Sequence, residues 1–346
     1  MRIVLDGRHM TPHFPGIGRY VRQLAAHLPA QLAPEDDFTL LTEADTAVSP
    51  FSLSQQWRIP PLLRGHTLYH SPYYIMPYFP GVPAVVTLYD LIPQKFPALT
   101  SAKARLFFRL FTRMALYTAS HVITISEAAR QDIVATYPIQ LAKITAVPLA
   151  PAPHFQPMPN APIKRPLPEK YVLYVGSNKP HKNLERLIQA WQPVHQRYRD
   201  VVLVIAGAWD SRYPQPKAWV KKLGLETAVH FLGPVTETEL PVLYSRAQLF
   251  VFPTLYEGFG LPVIEAMACG TAVACSNQSS LPEVGGDAAV YFNPTNIEEI
   301  TQSMITLLKE EEMRAKLQKR ALQQAKKFTW QQTAKQTTAV YKMIHG

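Results

Sequence analysis

Cysteine is nearly missing from this chain: Cys269 and Cys275 are the only two in 346 residues. Two thiols exclude a disulfide framework and a four-cysteine zinc site. No run of about 18 apolar residues occurs, which excludes a helix that spans a bilayer. Charged residues are sparse at 17%, and acid is the scarcer sign, 25 Asp and Glu against 35 Lys and Arg. No Asp-x-Asp pair is present to argue for a divalent metal. The opening Met-Arg-Ile-Val-Leu-Asp puts Asp6 where a secretory leader would continue its apolar stretch, so no leader is expected. The expectation is a soluble, cytoplasmic protein of two domains, at roughly 150 residues per domain.

What is plentiful is apolar surface, base and proline. Apolar residues make up 47%, ample for real cores. The net charge of +10 suggests an acidic partner, such as a nucleotide, a phosphorylated substrate, an anionic membrane or nucleic acid. The base is spread out: 15 Lys and Arg against 9 Asp and Glu up to residue 165, then 20 against 16. With no recognition module in sight, nucleic acid is the weaker choice. Eight of the 32 prolines fall between Pro148 and Pro168. Proline fixes φ and removes a donor, so this stretch is neither helix nor central strand. It reads as a linker over 156–164.

On each side of it, short apolar runs alternate with helical patterns. The strand candidates are Arg2–Asp6, Phe38–Thr42, a run ending at Ser71, Ala84–Asp90 and His121–Ser126. Beyond the linker come Tyr171–Gly176, Val201–Gly207, Val229–Gly233, Leu249–Thr254 and Thr271–Ser276. Helical segments fall at 17–30, 102–118, 127–136, 183–197, 216–224, 237–246, 261–269 and 296–326. Strands without polar alternation, separated by helices, imply parallel sheets covered on both faces. The fold class is α/β, with two Rossmann-like, doubly wound domains facing a cleft where ligands are expected.

The most informative stretch follows the run Leu249–Thr254: Glu257-Gly258-Phe259-Gly260-Leu261-Pro262-Val263-Ile264-Glu265-Ala266-Met267-Ala268-Cys269-Gly270. Gly258 and Gly260 permit positive φ and close approach of a ligand. Pro262 suits a first helical turn, where its missing N–H costs nothing. A loop that ends at a helix start is suited to phosphate, with Glu257 before the helix and Glu265 one turn inside it. This pattern resembles the retaining glycosyltransferases of the GT-B fold, family four, and matches their Glu-x7-Glu motif from Glu257 to Gly270 without a mismatch. The resemblance spans nearly the whole chain. It implies that Glu265 holds the ribose hydroxyls of a nucleotide sugar and that Glu257 faces the donor sugar. The amides of Gly258, Phe259, Gly260 and Leu261 would then meet the sugar hydroxyls and the distal phosphate.

Other elements extend the resemblance. In Gly176-Ser177-Asn178-Lys179-Pro180-His181-Lys182-Asn183, Lys182 matches the family lysine that binds the pyrophosphate. The family's additional arginine would stand at 177 or 181, where this chain has Ser177 and His181; Lys179 is a candidate substitute. Gly16-Ile17-Gly18-Arg19-Tyr20 resembles the family loop that reaches toward the donor phosphates and the acceptor. It is not a dinucleotide fingerprint, because Val21 takes the third glycine position and the stretch from Arg8 to Pro15 is too long. At Tyr89-Asp90-Leu91-Ile92-Pro93, relatives carry a histidine near the reacting carbon where this chain has Tyr89. Asp90 is retained as a candidate for the acceptor hydroxyl, with His70 and Tyr89 beside it on the acceptor side. Ser126 reads as an N-cap and Glu283 as structural. Phe328-Thr329-Trp330 precedes a final amphipathic helix, which family members pack back on the first domain. The expected domains are 1–155 with 330–346, and 165–329.

The resemblance implies retention of anomeric configuration by front-face attack. Lys182 and the helix amides would stabilise the leaving group, with Glu257, Lys182 and Asp90 as the catalytic set and no cofactor or metal. Donor and acceptor are a GDP- or UDP-sugar, with a lean to GDP-mannose, and a hydroxyl of a glycan or lipid-linked acceptor. Segment 101–120 carries Arg105, Arg109 and Arg113 at four-residue spacing among Phe107, Phe108, Leu110 and Phe111. It suits either peripheral contact with a membrane surface or a core-facing helix with a basic stripe. Two rivals stand beside this reading: a sugar-nucleotide-binding protein without transfer activity, and a nucleotide-sugar epimerase of the same architecture.

Overall fold

A computed structural model of the protein describes residues 1–10 and 15–345. The chain divides into two compact units, Met1–Leu149 with Thr329–Gly346, and Ala150–Phe328. Each is built on a six-stranded sheet in which every strand pairs parallel to its neighbours.

Unit 1 contains β1 (Arg2–Asp6), β2 (Asp37–Leu41), β3 (Leu68–Ser71), β4 (Ala84–Thr87), β5 (His121–Thr124) and β6 (Ile144–Ala146), in spatial order β2-β1-β3-β4-β5-β6. Every residue of β3, β4 and β5 is buried, as unbroken apolar runs require when helices cover both faces. One face carries the helices Gln55–Leu62, Ala102–Thr118 and Glu127–Thr136, whose Ile59, Phe108, Leu116 and Ile133 share a core with Val86 and Val122. The helix Trp330–His345 also belongs to this unit: Thr333 Oγ1 donates to Pro148 O at 2.8 Å, and Tyr341 meets His70.

Unit 2 contains β7 (Tyr171–Val175), β8 (Val202–Ala206), β9 (Val229–Gly233), β10 (Leu249–Phe252), β11 (Val273–Ser276) and β12 (Ala289–Phe292), in order β12-β11-β10-β7-β8-β9. The chain winds outward from β7 to β9, then crosses back to β10 and winds the other way. The carboxyl ends of β7 and β10 are therefore the switch point, where loops diverge and ligands of doubly wound sheets sit.

The structure departs from the sequence reading at several places. Segment 156–164 is irregular, but the division between units falls at Ala150 and this segment lies along unit 2. Its Met158 N–H donates to Ser245 Oγ at 2.9 Å, and Arg246 donates to the carbonyls of Pro159 and Ala161. Prolines lose a donor but keep a carbonyl, and arginine uses it. The segment 296–326 is two helices, Ile297–Lys309 and Glu311–Ala325, broken at Glu310. The strands β6 and β12 are additional; both are short edge strands. Helix Gln55–Leu62 is additional too, with Pro60 and Pro61 in its last turn.

Candidate active site

Two loops make the switch point of unit 2. The first leaves β7 and ends in a tight turn, Pro180–Lys182, closed by Asn183 in the left-handed region at φ 61°. Asn183 Nδ2 donates to Pro253 O at 2.9 Å and Pro294 O at 2.7 Å. Leu255 N and Thr254 Oγ1 both donate to His181 O. The β7 loop is thereby laced to the chain leaving β10. The second loop runs from Tyr256 to Gly260. Gly260 sits at φ 103°, and a Cβ there would lie 2.4 Å from Leu281 Cδ2, so glycine is required on two counts. Glu257 N donates to Ser279 Oγ at 2.9 Å, and Ser280 Oγ lies 3.0 Å from Glu257 O and 2.8 Å from Phe259 O as their donor. The helix Leu261–Ala268 follows, with Pro262 in its first turn.

These two loops bring the key charges together. Lys182 Nζ donates to Glu257 Oε1 at 2.5 Å and lies 5.3 Å from the centre of the Phe252 ring. The two side chains keep 16% and 11% of their surface exposed. A pair this short is charge-assisted, and its partial exposure leaves it within reach of a ligand. Glu265 is buried one turn into the helix, with Tyr244 OH donating to Oε2 at 3.4 Å. His181, one of the two positions where the resemblance would put an arginine, is buried; burial first, then Lys182 and Lys179, push its imidazole down to about 3, so it is neutral near pH 7 and adds no second cation. Lys179 is exposed and lines a cavity of about 510 Å³ with Asn178, Asn183, Arg186 and Tyr213; Lys182 is not among its lining residues.

Unit 1 treats its own strand ends differently. Arg8 is fully buried and donates to both carboxylate oxygens of Asp6, at 2.9 and 2.6 Å, while Tyr69 OH donates to Asp6 Oδ2 at 2.6 Å. Burial pushes the Asp6 carboxyl up, but the Arg8 bonds and charge outweigh it and hold the group below the usual carboxylate range. His70 is also fully buried, with one ring nitrogen shared with Tyr341 OH at 2.6 Å and the other with Thr87 Oγ1 at 2.8 Å. Burial pushes it down to about 3. The structure therefore removes His70 from the acceptor-side set: both nitrogens are spent tying the C-terminal helix to the sheet.

Tyr89 packs edge-on against Tyr20 at 5.6 Å, and its buried hydroxyl has no hydrogen-bond partner among the described residues. Asp90 is half-buried, and its Oδ1 accepts from Ile92 N at 2.9 Å. Gly16, Gly18 and Arg19 lie in the first turns of the helix Pro15–His27 rather than in a loop ahead of it. Positions 11–14 of the Arg8–Pro15 stretch lie outside the described residues. Sequence reasoning missed His9 and Tyr73, whose rings lie tilted with centroids 5.2 Å apart; the imidazole of His9 is fully buried, has no hydrogen bond at either nitrogen among the described residues and, mainly through burial, is pushed down to about 4. It also missed the bracing by Asn183, Ser279 and Ser280, whose only signal was their place beside matched motifs.

Comparison with known proteins identifies the family. Residues 160–324 match the family described as Glycosyl transferases group 1, and residues 15–150 match Glycosyltransferase Family 4. O-antigen chain mannosyltransferase B of Escherichia coli is 32% identical over 291 residues, 80% of this chain and 74% of that protein. The chain belongs to the GT-B glycosyltransferases of family four. O-antigen chain mannosyltransferase RfbU of Salmonella typhimurium is 31% identical over 209 residues, 60% of this chain and 56% of that protein. Among solved structures, sucrose-phosphate synthase from Thermosynechococcus elongatus superposes with a TM-score of 0.78 at 21% identity, covering 99% of both chains. Anabaena HepE in complex with UDP-glucose gives 0.77 at 18%, again over 99% of both. At these identities the structures speak to the fold alone. In the glycosyltransferase, a lysine and a glutamate meet where two loops diverge, beside a glycine that lets the chain turn tightly into a helix. Such an arrangement can neutralise a diphosphate and hold the hydroxyls of a sugar.

Proposed function

We propose that the chain is a retaining mannosyltransferase that uses GDP-mannose and builds a glycan of the O-antigen kind on a lipid-linked acceptor. The observation that carries this is the Lys182–Glu257 pair at the switch point, inside an unbroken Glu-x7-Glu motif. The similarity to O-antigen mannosyltransferases supports the choice of sugar and product class. In this reading Lys182 neutralises the diphosphate as it leaves, which is where catalytic charge is most needed. Glu257 orients the donor sugar, Glu265 holds the ribose, and the amides from Gly258 to Leu261 meet sugar hydroxyls and phosphate. Arg19, with Gly16 and Gly18, faces the phosphates, and Lys179 is the second cation. Asp90 and Tyr89 receive the acceptor hydroxyl. No divalent metal takes part, so a chelator leaves transfer unchanged. The enzyme works at the cytoplasmic face of a membrane, through peripheral contact at 101–120; no helix among the described residues is long and apolar enough to cross one.

A thermal-shift series with GDP-mannose, GDP, UDP-glucose and UDP tests the donor. A ligand at 100 times its Kd stabilises by ~2.7 kcal/mol. GDP-mannose should raise the melting temperature in the wild type and not in Glu265→Ala. A shift with uridine nucleotides alone would replace the donor. One observation favours a second reading, a sugar-nucleotide-binding protein without transfer: His181, one of the two positions where the resemblance would put an arginine, is buried and neutral. Donor binding with neither transfer nor hydrolysis across a broad acceptor panel would decide for it.

A further inference from the structure

The cavity of about 510 Å³ beside the β7 loop lies within unit 2, yet the donor reading leaves most of it unused. Its walls come from the first turns of three helices, Leu184–Arg197, Gln215–Lys222 and Ile297–Lys309, of which the first packs against the other two. The helix that carries Glu265 packs on a different set, Leu240–Arg246, Leu281–Gly285 and Glu311–Ala325. Lys182, Glu257 and Glu265 are all absent from the lining, and Lys179 is its one residue assigned to the donor. The volume lies within the roughly 300–1,000 Å³ of small-molecule sites.

The polar groups here are held on one side and left unpaired on the other. Asn178 Nδ2 donates to Asp210 O at 2.8 Å and Tyr213 O at 2.7 Å, and its Oδ1 accepts from Asp210 N at 2.7 Å. These bonds fix the loop that carries Tyr213. Trp219 Nε1 donates to Glu185 Oε2 at 3.1 Å, and Arg186 Nη1 donates to Asn183 Oδ1 at 2.9 Å. Glu185 Oε1, Arg186 Nη2, the Tyr213 hydroxyl and the Gln215 amide have no hydrogen-bond partner among the described residues. Side chains ordered in advance lower the entropy cost of taking a ligand.

The four open groups are a carboxylate, a guanidinium, a phenol and a primary amide, so donors and acceptors are mixed and the charges are opposed. A diphosphate would meet the Glu185 carboxylate. Adjacent hydroxyls of a sugar instead accept from Arg186 and Gln215 and donate to Glu185. Leu184, Pro216 and Ile297 add apolar surface for the C–H faces of a pyranose ring. We propose that this cavity is a second glycan site, which holds a short stretch of a neutral hexose chain away from the Lys182–Glu257 pair. The choice of a glycan rests on the proposed function, a transferase that builds one. A chain held on the enzyme between transfers has a raised effective concentration as the next acceptor.

Isothermal titration of the full chain with mannotetraose tests the site. The wild type should bind the tetrasaccharide, with the same affinity when GDP is saturating. Tyr213→Phe/Gln215→Ala should weaken binding by about fivefold for each hydrogen bond lost. The first substitution removes a single oxygen and the second is at an exposed position, so the melting temperature should not move. The GDP-mannose thermal shift should be the same in both proteins; its absence while mannotetraose still binds would sink the donor reading and leave this site standing. No binding of mannotetraose, equal affinity in the double variant, or displacement of the tetrasaccharide by GDP would overturn the proposal.

Discussion

The two units share a parallel six-stranded architecture and spend their charges at the strand ends in opposite ways. In unit 1, Asp6 and Arg8 are sealed from water and satisfy one another, Tyr69 and Gln55, while His70 bridges Thr87 and Tyr341. In unit 2, Lys182 and Glu257 form a single short bond and stay partly open. The surfaces are reversed as well: among the described residues, Met313 is the one large apolar side chain exposed in unit 2, and the others belong to unit 1. A charge held by a closed network is positioned for folding, because its removal strands a partner in a dry site. A charge held by one bond near the surface can exchange that bond for a ligand at small cost. In the proposed reading, unit 2 offers its strand-end charges to the donor, whereas Asp6, Arg8 and His70 at the strand ends of unit 1 serve for bracing.

Breaking one ion pair in each unit is the strongest test of this contrast. Asp6→Asn leaves the Arg8 guanidinium buried without its carboxylate and should cost ~3–5 kcal/mol of stability, read by urea unfolding. Lys182→Ala should cost less stability than Asp6→Asn, because its pair is only partly closed to water, yet lower transfer by ~10²–10³-fold through lost leaving-group stabilisation. Steady-state kinetics with a GDP-sugar donor checks the second half. If Lys182→Ala unfolds the protein, or Asp6→Asn leaves the melt unmoved, the contrast fails.

The next effect is set by pH. His9 and His70 in unit 1 titrate at about 4 and about 3, and His181 in unit 2 at about 3, all driven down chiefly by burial. Unfolded histidine takes up its proton at ~6.5, well before the folded forms. As pH falls from there toward the folded values, the unfolded chain binds more protons and the native state loses up to ~1.4 kcal/mol per pH unit for each histidine. Asp6, held low, adds its loss only at lower pH. With two of the three histidines, unit 1 should lose hydrogen-exchange protection more steeply than unit 2 between pH 7 and pH 5. Equal losses in both units would remove this difference.

Much of this arrangement was legible in the sequence, for reasons that differ by element. The central strands declared themselves because burial on both faces leaves continuous apolar runs such as Tyr171–Val175 and Leu249–Phe252. The edge strands β6 and β12 did not, because three or four residues at an edge need no such run. The Glu257–Gly270 stretch was readable because a tight turn into a helix beside a ligand permits few residue types. The bracing was not: Asn183 reaches carbonyls 70 and 111 residues away, and nothing local marks such a bond. Likewise His70 is an ordinary strand residue in sequence, and only the return of Tyr341 from the far end of the chain shows that its ring is occupied.

Tyr89 separates bracing from chemistry inside unit 1 itself, with the smallest expected effect. Its hydroxyl is buried without a hydrogen-bond partner among the described residues, and its ring already packs edge-on against Tyr20. Removing an unsatisfied buried hydroxyl returns a desolvation cost of ~1 kcal/mol or less, so Tyr89→Phe should keep or slightly raise the melting temperature. If the hydroxyl serves the acceptor, the same variant should lose about tenfold in transfer, the equivalent of one hydrogen bond, with the donor-induced thermal shift unchanged. A variant with full transfer would make Tyr89 a packing residue like His70, and the strand ends of unit 1 would then be bracing up to Asp90.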